Sequence, residues 1–361
     1  MNPGTFPDSR RGPAAGRGRR RTLLLALAGA ACIVVLAAGV LFALGVLPSA
    51  GQHVSMTGRH SPGSPARPAR PARPARPQEG PIGSYRVASQ PMVVIDRSRP
   101  ALGYRRLPIL VRYPVVPAGA MAAHKMARGP FPLVVFAPGY LQCGSSYAAL
   151  LHAWASAGYV VAAIEFPRTH CHLPVPDEAD LSNQPADTSF VITRLLASSS
   201  RPAGVLSGLI NPARIAVAGH SDGGDTAAAV AADTCCLDRR VTAAMILSGA
   251  EWPPLRGRYF PSGTPPMLFV QGTDDSWNPP VASAQLYQAD RTGIRYYLQL
   301  LGVGHFAPYE GHGRPEPLVA RVTVDFLNRY LGRLPGQAGA MAAAGNVPGV
   351  AELGFDGRMP G

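Results

Sequence analysis

A serine that lies between two glycines, directly after a short apolar run, constrains the fold of this chain more than any other feature. The apolar residues 214–218 predict a β-strand, and the alanine-rich residues 225–232 predict a helix. Ser221 is therefore expected at the apex of a strand–turn–helix unit, where Gly219 and Gly223 relieve clashes in a strained turn. Such a turn holds the hydroxyl above the edge of a sheet, so Ser221 is a candidate nucleophile.

Two further side chains suit this serine. A serine hydroxyl needs a base that removes its proton and an acid that orients the base. Around a serine turn of this kind the three groups follow the chain order nucleophile, acid, base, each in a loop after a strand. Asp275 and His305 each follow a predicted strand and are the candidate acid and base. Asp274 is the alternative acid, and His312, further along in a polar loop, is the weaker alternative base.

Two backbone N–H groups are candidates for stabilising the negative charge that develops on a substrate oxygen. The N–H of Asp222 lies in the first turn of the predicted helix, where the helix dipole favours negative charge. The second donor is expected in the loop after the predicted strand 132–137. Gly139 lets that loop turn, which makes the N–H of Tyr140 the candidate; a plain strand-ending turn is the alternative.

Residues 80–334 have the pattern of an α/β domain. Apolar runs predict eight strands, at 85–95, 106–113, 132–137, 159–165, 214–218, 242–248, 266–271 and 295–301. Helical patterns lie between most of them, at 147–157, 187–197, 225–232, 280–289 and 317–331. This alternation predicts a mostly parallel sheet with helices on both faces and an antiparallel start. Residues 335–361 are Gly/Ala-rich with little periodicity, so we expect a flexible tail.

The positive charge of the chain is concentrated in its N-terminal part. Residues 1–78 contain 11 Arg and one acid, a net of +10 out of +13, so the remaining residues carry only +3 and predict no nucleic-acid surface. The Arg-rich segment 1–21 is expected to be cytoplasmic. Residues 22–47 lack charge and could span a membrane as a signal anchor, with the catalytic part extracytoplasmic. A twin-arginine signal, or cleavage that releases a secreted form, is the alternative.

A linker rich in Pro, Ala and Arg follows the apolar segment, at residues 48–79. Its Pro-Ala-Arg repeats favour an extended spacer that holds the domain away from the membrane. The alternative is that Arg67, Arg70, Arg73 and Arg76 bind anionic lipid or a cell-wall polymer.

Six segments of residues 80–334 resemble the α/β-hydrolase superfamily. They are 107–114, 134–140 (Val-Val-Phe-Ala-Pro-Gly-Tyr), 158–163, 187–195, 219–224 (Gly-His-Ser-Asp-Gly-Gly) and 302–306 (Gly-Val-Gly-His-Phe). They are most similar to the lidless branch of dienelactone hydrolases, platelet-activating-factor acetylhydrolases and cutinase-like polyesterases. The resemblance implies that Ser221, Asp275 and His305 form a catalytic triad, and that Tyr140 and Asp222 supply the oxyanion N–H groups.

The chain departs from this resemblance at two positions. Pro138 stands where many relatives have a histidine before the loop glycine. Asp222 places a carboxylate beside the oxyanion site, where it would oppose the build-up of negative charge. We expect its side chain to point away from the site and to stabilise the helix N-terminus.

The predicted site is open and suits esters. Only 17 residues separate Ser248 from Pro266, too few for a helical cap, and Tyr140 and Trp252 are expected to form an aromatic wall for substrate. By resemblance, polyester hydrolases carry a tryptophan after the corresponding strand. We predict a serine hydrolase that cleaves carboxylic esters of small molecules, lipids or polyesters through an acyl-enzyme, without a cofactor. Acyl transfer by the same residues, or a catalytically silent binding protein, is the alternative.

Four cysteines lie outside the apolar N-terminal segment. Cys143 and Cys171 follow adjacent core strands at the same sheet edge, so we predict a disulfide between them. Adjacent cysteines strain when joined, and Cys235 and Cys236 are therefore expected to be partly free. The segment 170–172, His-Cys-His, has no further ligand cluster with zinc-like spacing, so no metal site is predicted.

Overall fold

The computed structural model describes residues 83–115, 129–261, 263–291, 293–311, 313 and 315–360. No helix within these ranges is long and apolar enough to cross a membrane. The predicted cytoplasmic segment 1–21, signal anchor 22–47 and linker 48–79 lie outside the described residues and stay predictions.

One mixed sheet forms the centre of the described domain. Its strands are β1 Arg86–Asp96, β2 Arg105–Val115, β3 Phe131–Ala137, β4 Val160–Ile164, β5 Ile210–His220, β6 Val241–Leu247, β7 Met267–Gly272, β8 Arg295–Leu300 and β9 Ala351–Phe355. They lie in the order β1-β2-β4-β3-β5-β6-β7-β8-β9. The six strands from β4 to β8 in this order pair in parallel, while β1, β2 and β9 pair antiparallel with their neighbours.

Helices cover both faces of this sheet. They are α1 Ala148–Ser156, α2 Gln184–Ser199, α3 Asp222–Ala232, α4 Pro280–Ala289, α5 Pro315–Leu327 and α6 Gln337–Gly345. Side chains of α2, α3 and α4 belong to one buried cluster, and side chains of α1, α5 and α6 belong to the other. Because both faces are covered, the central strands are largely buried, and all residues of β4 and β7 are buried.

The fold differs from the prediction at the C-terminal end. All eight predicted strands are present, but β9 adds a ninth, and it lies in residues 335–361, which we had predicted to be a flexible tail. β9 pairs with β8, and Ala351 and Met341 are buried in the same cluster as Leu298 of β8. The prediction of a flexible tail was wrong because Gly- and Ala-rich residues show no apolar period of their own. Their contacts with β8 and α5 fix their conformation.

The parallel strands define where a site can form. The carboxyl ends of β3, β5, β6, β7 and β8 lie at one edge of the sheet, because parallel neighbours end on the same side. The residues between β6 and β7 form no helix in their described part, so no helical cap covers this edge from that segment. The loops after these strands therefore meet at an open rim.

Candidate active site

Ser221 lies at the turn from β5 into α3. Its backbone has φ 56° and ψ −126°, a left-handed conformation that is strained for a serine. Two backbone hydrogen bonds fix the turn. The N–H of Ser221 donates to the carbonyl of Leu247 at 2.9 Å, and the N–H of Asp225 donates to the carbonyl of Ser221 at 3.0 Å. The helix begins at Asp222, three residues before the predicted start, because this turn leads directly into it.

The two glycines beside the serine are required by close backbone approach. A Cβ at Gly219 would lie 1.9 Å from the carbonyl oxygen of Gly223. A Cβ at Gly223 would lie 1.9 Å from the carbonyl oxygen of Ala137 at the end of β3. Neither contact is sterically tolerable, so the Gly-His-Ser-Asp-Gly pattern is a packing requirement of this turn.

His305 and Asp275 are in direct contact. His305 Nδ1 lies 2.7 Å from Asp275 Oδ2, and both residues are buried. Asp275 also accepts hydrogen bonds from Gln271 Nε2 at 2.9 Å and from the backbone N–H groups of Trp277 and Asn278 at 3.0 and 2.9 Å. Burial raises the pKa of Asp275, but these hydrogen bonds outweigh burial and leave its pKa below the usual value. The carboxylate is therefore held ionised against the imidazole.

The alternatives for acid and base lie elsewhere. Asp274 is exposed and accepts a hydrogen bond from Thr273 Oγ1 at 3.2 Å, with no contact to His305 among the described hydrogen bonds. His312 lies outside the described residues. The described part of the chain contains no hydrogen bond between Ser221 Oγ and His305; such catalytic hydrogen bonds are often long until a substrate is bound.

The loop after β3 is held from three directions. The N–H of Gly139 donates to Tyr147 Oη at 3.2 Å, and the N–H of Leu141 donates to the carbonyl of Thr169 at 2.8 Å. A disulfide joins Cys143 in this loop to Cys171. Between these anchors, the N–H of Tyr140 donates to no acceptor within the described residues. That N–H is available to a substrate oxygen.

Asp222 directly follows Ser221 and lies in a charged environment. Its carboxyl interacts electrostatically with His305 and Glu178, and its Oδ2 is buried with no hydrogen-bond partner in the described structure. Burial and the charge of Glu178 raise the pKa of Asp222, whereas His305 and the N–H of Asp222 itself lower it; the result is about 6. The N–H that we predicted for the oxyanion therefore lies beside a carboxyl whose charge depends on pH.

One aromatic residue beside His305, Trp277, was not predicted from the sequence. Trp277 is 71% exposed, and its ring stacks beside His305 at 6.4 Å between centroids and 26° between planes. It also meets Phe306 edge-on at 5.6 Å. The signal was its place two residues after Asp275, in a loop at the catalytic edge. Trp252, which we did predict, is half-buried, and its Nε1 donates to Ser182 Oγ at 3.4 Å.

The remaining cysteines correct one expectation. Cys235 and Cys236 are joined to each other in a disulfide, whereas we had expected them to be partly free. The turn after α3 accommodates this pair: Asp233 Oδ1 accepts the N–H of Cys235 at 2.9 Å. Cys143 and Cys171 lie close to His172, but their sulfurs are already bonded to each other and are not thiolates that would hold an ion.

The sheet and the strained serine turn, with no helical cap in the described segment between β6 and β7, define an α/β-hydrolase of the lidless type. Within that class, the family model described as PET hydrolase-like matches residues 116–333. The chain belongs to this family and is therefore a serine hydrolase that acts on ester bonds. No curated protein matches the sequence.

Proposed function

We propose that this protein hydrolyses polyesters and related carboxylic esters through Ser221, His305 and Asp275, on the outer side of a membrane. The observation that carries the proposal is the buried contact between His305 Nδ1 and Asp275 Oδ2, in loops at the same sheet edge as the serine turn. A buried carboxylate that fixes one imidazole nitrogen leaves the other, Nε2, free to serve as a base.

The reaction begins with attack of Ser221 Oγ on the ester carbonyl. His305 Nε2 takes the serine proton as the C–O bond forms, and then gives it to the leaving alcohol oxygen as the acyl–oxygen bond breaks. The acyl group is now bound to Ser221. A water molecule, deprotonated by His305, attacks the acyl-enzyme carbonyl; the acid leaves and the proton returns to Ser221 Oγ.

Asp275 and the two backbone N–H groups stabilise charges that form during the reaction. Asp275 holds His305 in the tautomer with the proton on Nδ1 and stabilises the imidazolium that forms in each half-reaction. The free N–H of Tyr140 and the N–H of Asp222 would stabilise the oxyanion. Removing one such donor typically costs roughly 100-fold or more in kcat.

An open rim with an exposed indole supports a large or polymeric ester. Trp277 presents an apolar face to solvent beside His305, and exposed aromatic rings bind aryl and acyl groups. Tyr140 and Trp252 remain the candidates for further substrate contacts, and both are half-buried at the same edge.

The proposed location rests on residues 22–47 and the Arg-rich segment before them. In cells, the full chain should sediment with membranes and resist extraction by alkaline carbonate. A chain that starts at residue 80 should stay in the supernatant with unchanged specific activity. Recovery of the full chain in the soluble fraction would contradict the anchor, and an N-terminus mapped between residues 47 and 80 would show the cleaved, secreted form.

The test of the chemistry compares Ser221→Ala with the wild type on p-nitrophenyl butyrate and on polyester film. We expect a loss of roughly 10⁴-fold or more in kcat, because the nucleophile is removed. Ser198→Ala, a partly exposed serine on α2, is the matched control and should retain full activity. Wild-type protein that hydrolyses no ester at any acyl length would refute the proposal.

The same experiment distinguishes hydrolysis from acyl transfer. With an added alcohol acceptor, a hydrolase forms mainly the free acid, whereas an acyltransferase forms mainly the new ester. A dominant ester product would assign the Ser221 chemistry to transfer.

A further inference from the structure

A buried chain of hydrogen bonds connects the loop after β3 that carries Tyr140 (the oxyanion loop) to the loop that carries His305. The N–H of Gly139 donates to Tyr147 Oη at 3.2 Å, and Tyr147 Oη lies 2.8 Å from His220 Nδ1. On its other side, His220 Nε2 lies 3.1 Å from the carbonyl oxygen of His305. The chain thus begins one residue before Tyr140, passes beside Ser221, and ends on the backbone of the proposed base.

The direction of each hydrogen bond follows from the donors present. The backbone N–H of Gly139 can only donate, so Tyr147 Oη accepts there and its single proton is free to point to His220. His220 Nδ1 is then the acceptor. The proton of the neutral ring lies on Nε2, where it donates to the carbonyl of His305, which can only accept.

The surroundings keep His220 neutral. Both His220 and Tyr147 are fully buried. Burial and the nearby charge of His305 lower the pKa of His220, and the His305 carbonyl and Asp275 oppose this only in part. The rings of His305 and Tyr309 pack against His220 at 4.5 and 4.6 Å between centroids, and Phe306 packs at 6.0 Å. A neutral His220 accepts at Nδ1 and donates from Nε2, which matches both hydrogen bonds.

We propose that Tyr147 and His220 form a positioning link. The link holds the oxyanion loop and the His305 loop in fixed positions relative to each other, on either side of Ser221. The link rests on the proposed function, because its two ends matter only if Tyr140 and His305 act on substrate. Gly139 and His305 are 166 positions apart in the chain, and among the described residues no backbone hydrogen bond joins their loops directly. A shift of about 1 Å between catalytic groups can cost on the order of 100-fold in rate.

A purely structural role is the competing explanation. In that case the tyrosine hydroxyl only satisfies buried polar groups, and its removal lowers stability without changing the chemistry of the folded enzyme. The two explanations differ in kcat per active site and in the dependence of rate on the leaving group.

The experiment compares Tyr147→Phe with Tyr159→Phe, on esters whose leaving alcohols cover a range of pKa. Tyr159 is a matched control: it is buried, and its Oη donates to Asn328 Oδ1 at 2.8 Å, in a different part of the domain. Active sites are counted with a phosphonate that titrates the nucleophile. We expect Tyr147→Phe to lower kcat by roughly tenfold, with KM within about twofold, since orientation rather than binding is lost.

The loss in Tyr147→Phe should grow as the leaving alcohol becomes less acidic. A poor leaving group depends on the proton from His305, whereas p-nitrophenolate leaves without it. Tyr159→Phe should change neither kcat nor this dependence. Unchanged kcat in Tyr147→Phe, or equal losses in both variants, would overturn the link while wild-type hydrolysis still upheld the proposed function.

If Tyr147→Phe does not fold, a measurement on the wild type tests the link instead. In protein labelled with ¹⁵N-histidine, His220 should show an unprotonated Nδ1, a protonated Nε2 and no titration from about pH 5 to 9. A proton on Nδ1, or titration within this range, would overturn the link without any reference to activity.

Discussion

Asp222, directly after the proposed nucleophile Ser221, carries a carboxyl where a negative charge would oppose the proposed oxyanion. The carboxyl of Asp222 lies within the electrostatic reach of His305 and Glu178, next to the N–H proposed for the oxyanion. With a pKa raised to about 6, mainly by burial, this carboxyl is protonated in mildly acidic solution and ionised at neutral pH. The charge beside the oxyanion site is therefore set by the pH of the surroundings.

Replacing Asp222 with Asn should raise kcat for a neutral ester at pH 8 by several-fold, on the order of a 1 kcal/mol relief of repulsion. Below about pH 6 the gain should vanish, because Asp222 is then itself uncharged. The ratio of the two enzymes' kcat values against pH measures the effect, and a ratio that is flat with pH contradicts it. Glu178→Gln should move the inflection to lower pH, since the charge of Glu178 raises the pKa of Asp222.

Trp277→Ala should raise KM for aryl esters and reduce adsorption to polyester film, because the exposed indole face beside His305 is lost. We expect a change of about two- to tenfold, the usual range for one aromatic contact. Steady-state kinetics on phenyl and cyclohexyl esters of the same acid would measure it. Trp252→Ala is the comparison, and equal losses on both esters from Trp277→Ala would argue against an aromatic contact.

The contact between Asp275 and His305, at the same sheet edge as Ser221, could be predicted from sequence, because each residue follows an apolar strand and the fold restricts their chain order. Their catalytic roles stay predictions. The contacts of Trp277 and Tyr147 could not be predicted. No periodicity marks them, and their importance comes from loops that meet only after folding. The raised pKa of Asp222 could not be predicted either, because it depends on burial and on the charge of Glu178, 44 positions away in the sequence.

At the scale of elements, the loop after β3 and the loop after β4 act as one unit. The disulfide between Cys143 and Cys171 and the hydrogen bond from Leu141 to Thr169 join them. Tyr140 lies between the disulfide and Gly139, so the proposed oxyanion donor is carried by a braced segment rather than by a free loop.

Replacing both Cys143 and Cys171 with Ser should lower the free energy of unfolding by about 3 kcal/mol, because the bond closes a loop of 28 residues. Urea denaturation measures this, and kcat should also fall as the oxyanion loop loosens. The pair Cys235→Ser and Cys236→Ser is the control: no chain segment lies between them, so their bond restricts the unfolded chain little. Equal losses in both double variants would contradict the loop-closure explanation.

The bounds of helices and strands were predicted well where the local sequence determines them, and less well where contacts between distant residues determine them. The bounds of β3, β7 and α4 were predicted to within one residue, since Pro138 follows β3, Gly272 ends β7 and Pro280 begins α4. The start of α3 was missed by three residues, because two glycines are poor helix formers and only the tight packing of the turn against β3 places them in a helix.

At the scale of the molecule, β9 and α6 complete the sheet. β9 pairs with β8 along Tyr296 to Leu300, and thereby covers an edge that would otherwise expose a row of unpaired backbone groups. This part of the chain lies beyond residues 116–333, which the family model matches.

Ending the chain at Leu334 should destabilise the domain and promote aggregation, because it uncovers the β8 edge and the cluster that contains Met341 and Ala351. Thermal unfolding and size-exclusion chromatography would measure this. A chain that ends at Arg358 keeps β9 and is the control. A stable, monomeric protein ending at Leu334 would show that β9 is dispensable.

The uncapped rim has a consequence for how a long substrate is cut. The described segment between β6 and β7 has no helix that would cover the site. A polymer can therefore cross the site with both of its ends outside, and binding does not require a chain end. Scission would then fall at interior bonds. On a polyester, the mean molar mass should drop early, well before monomers accumulate in solution.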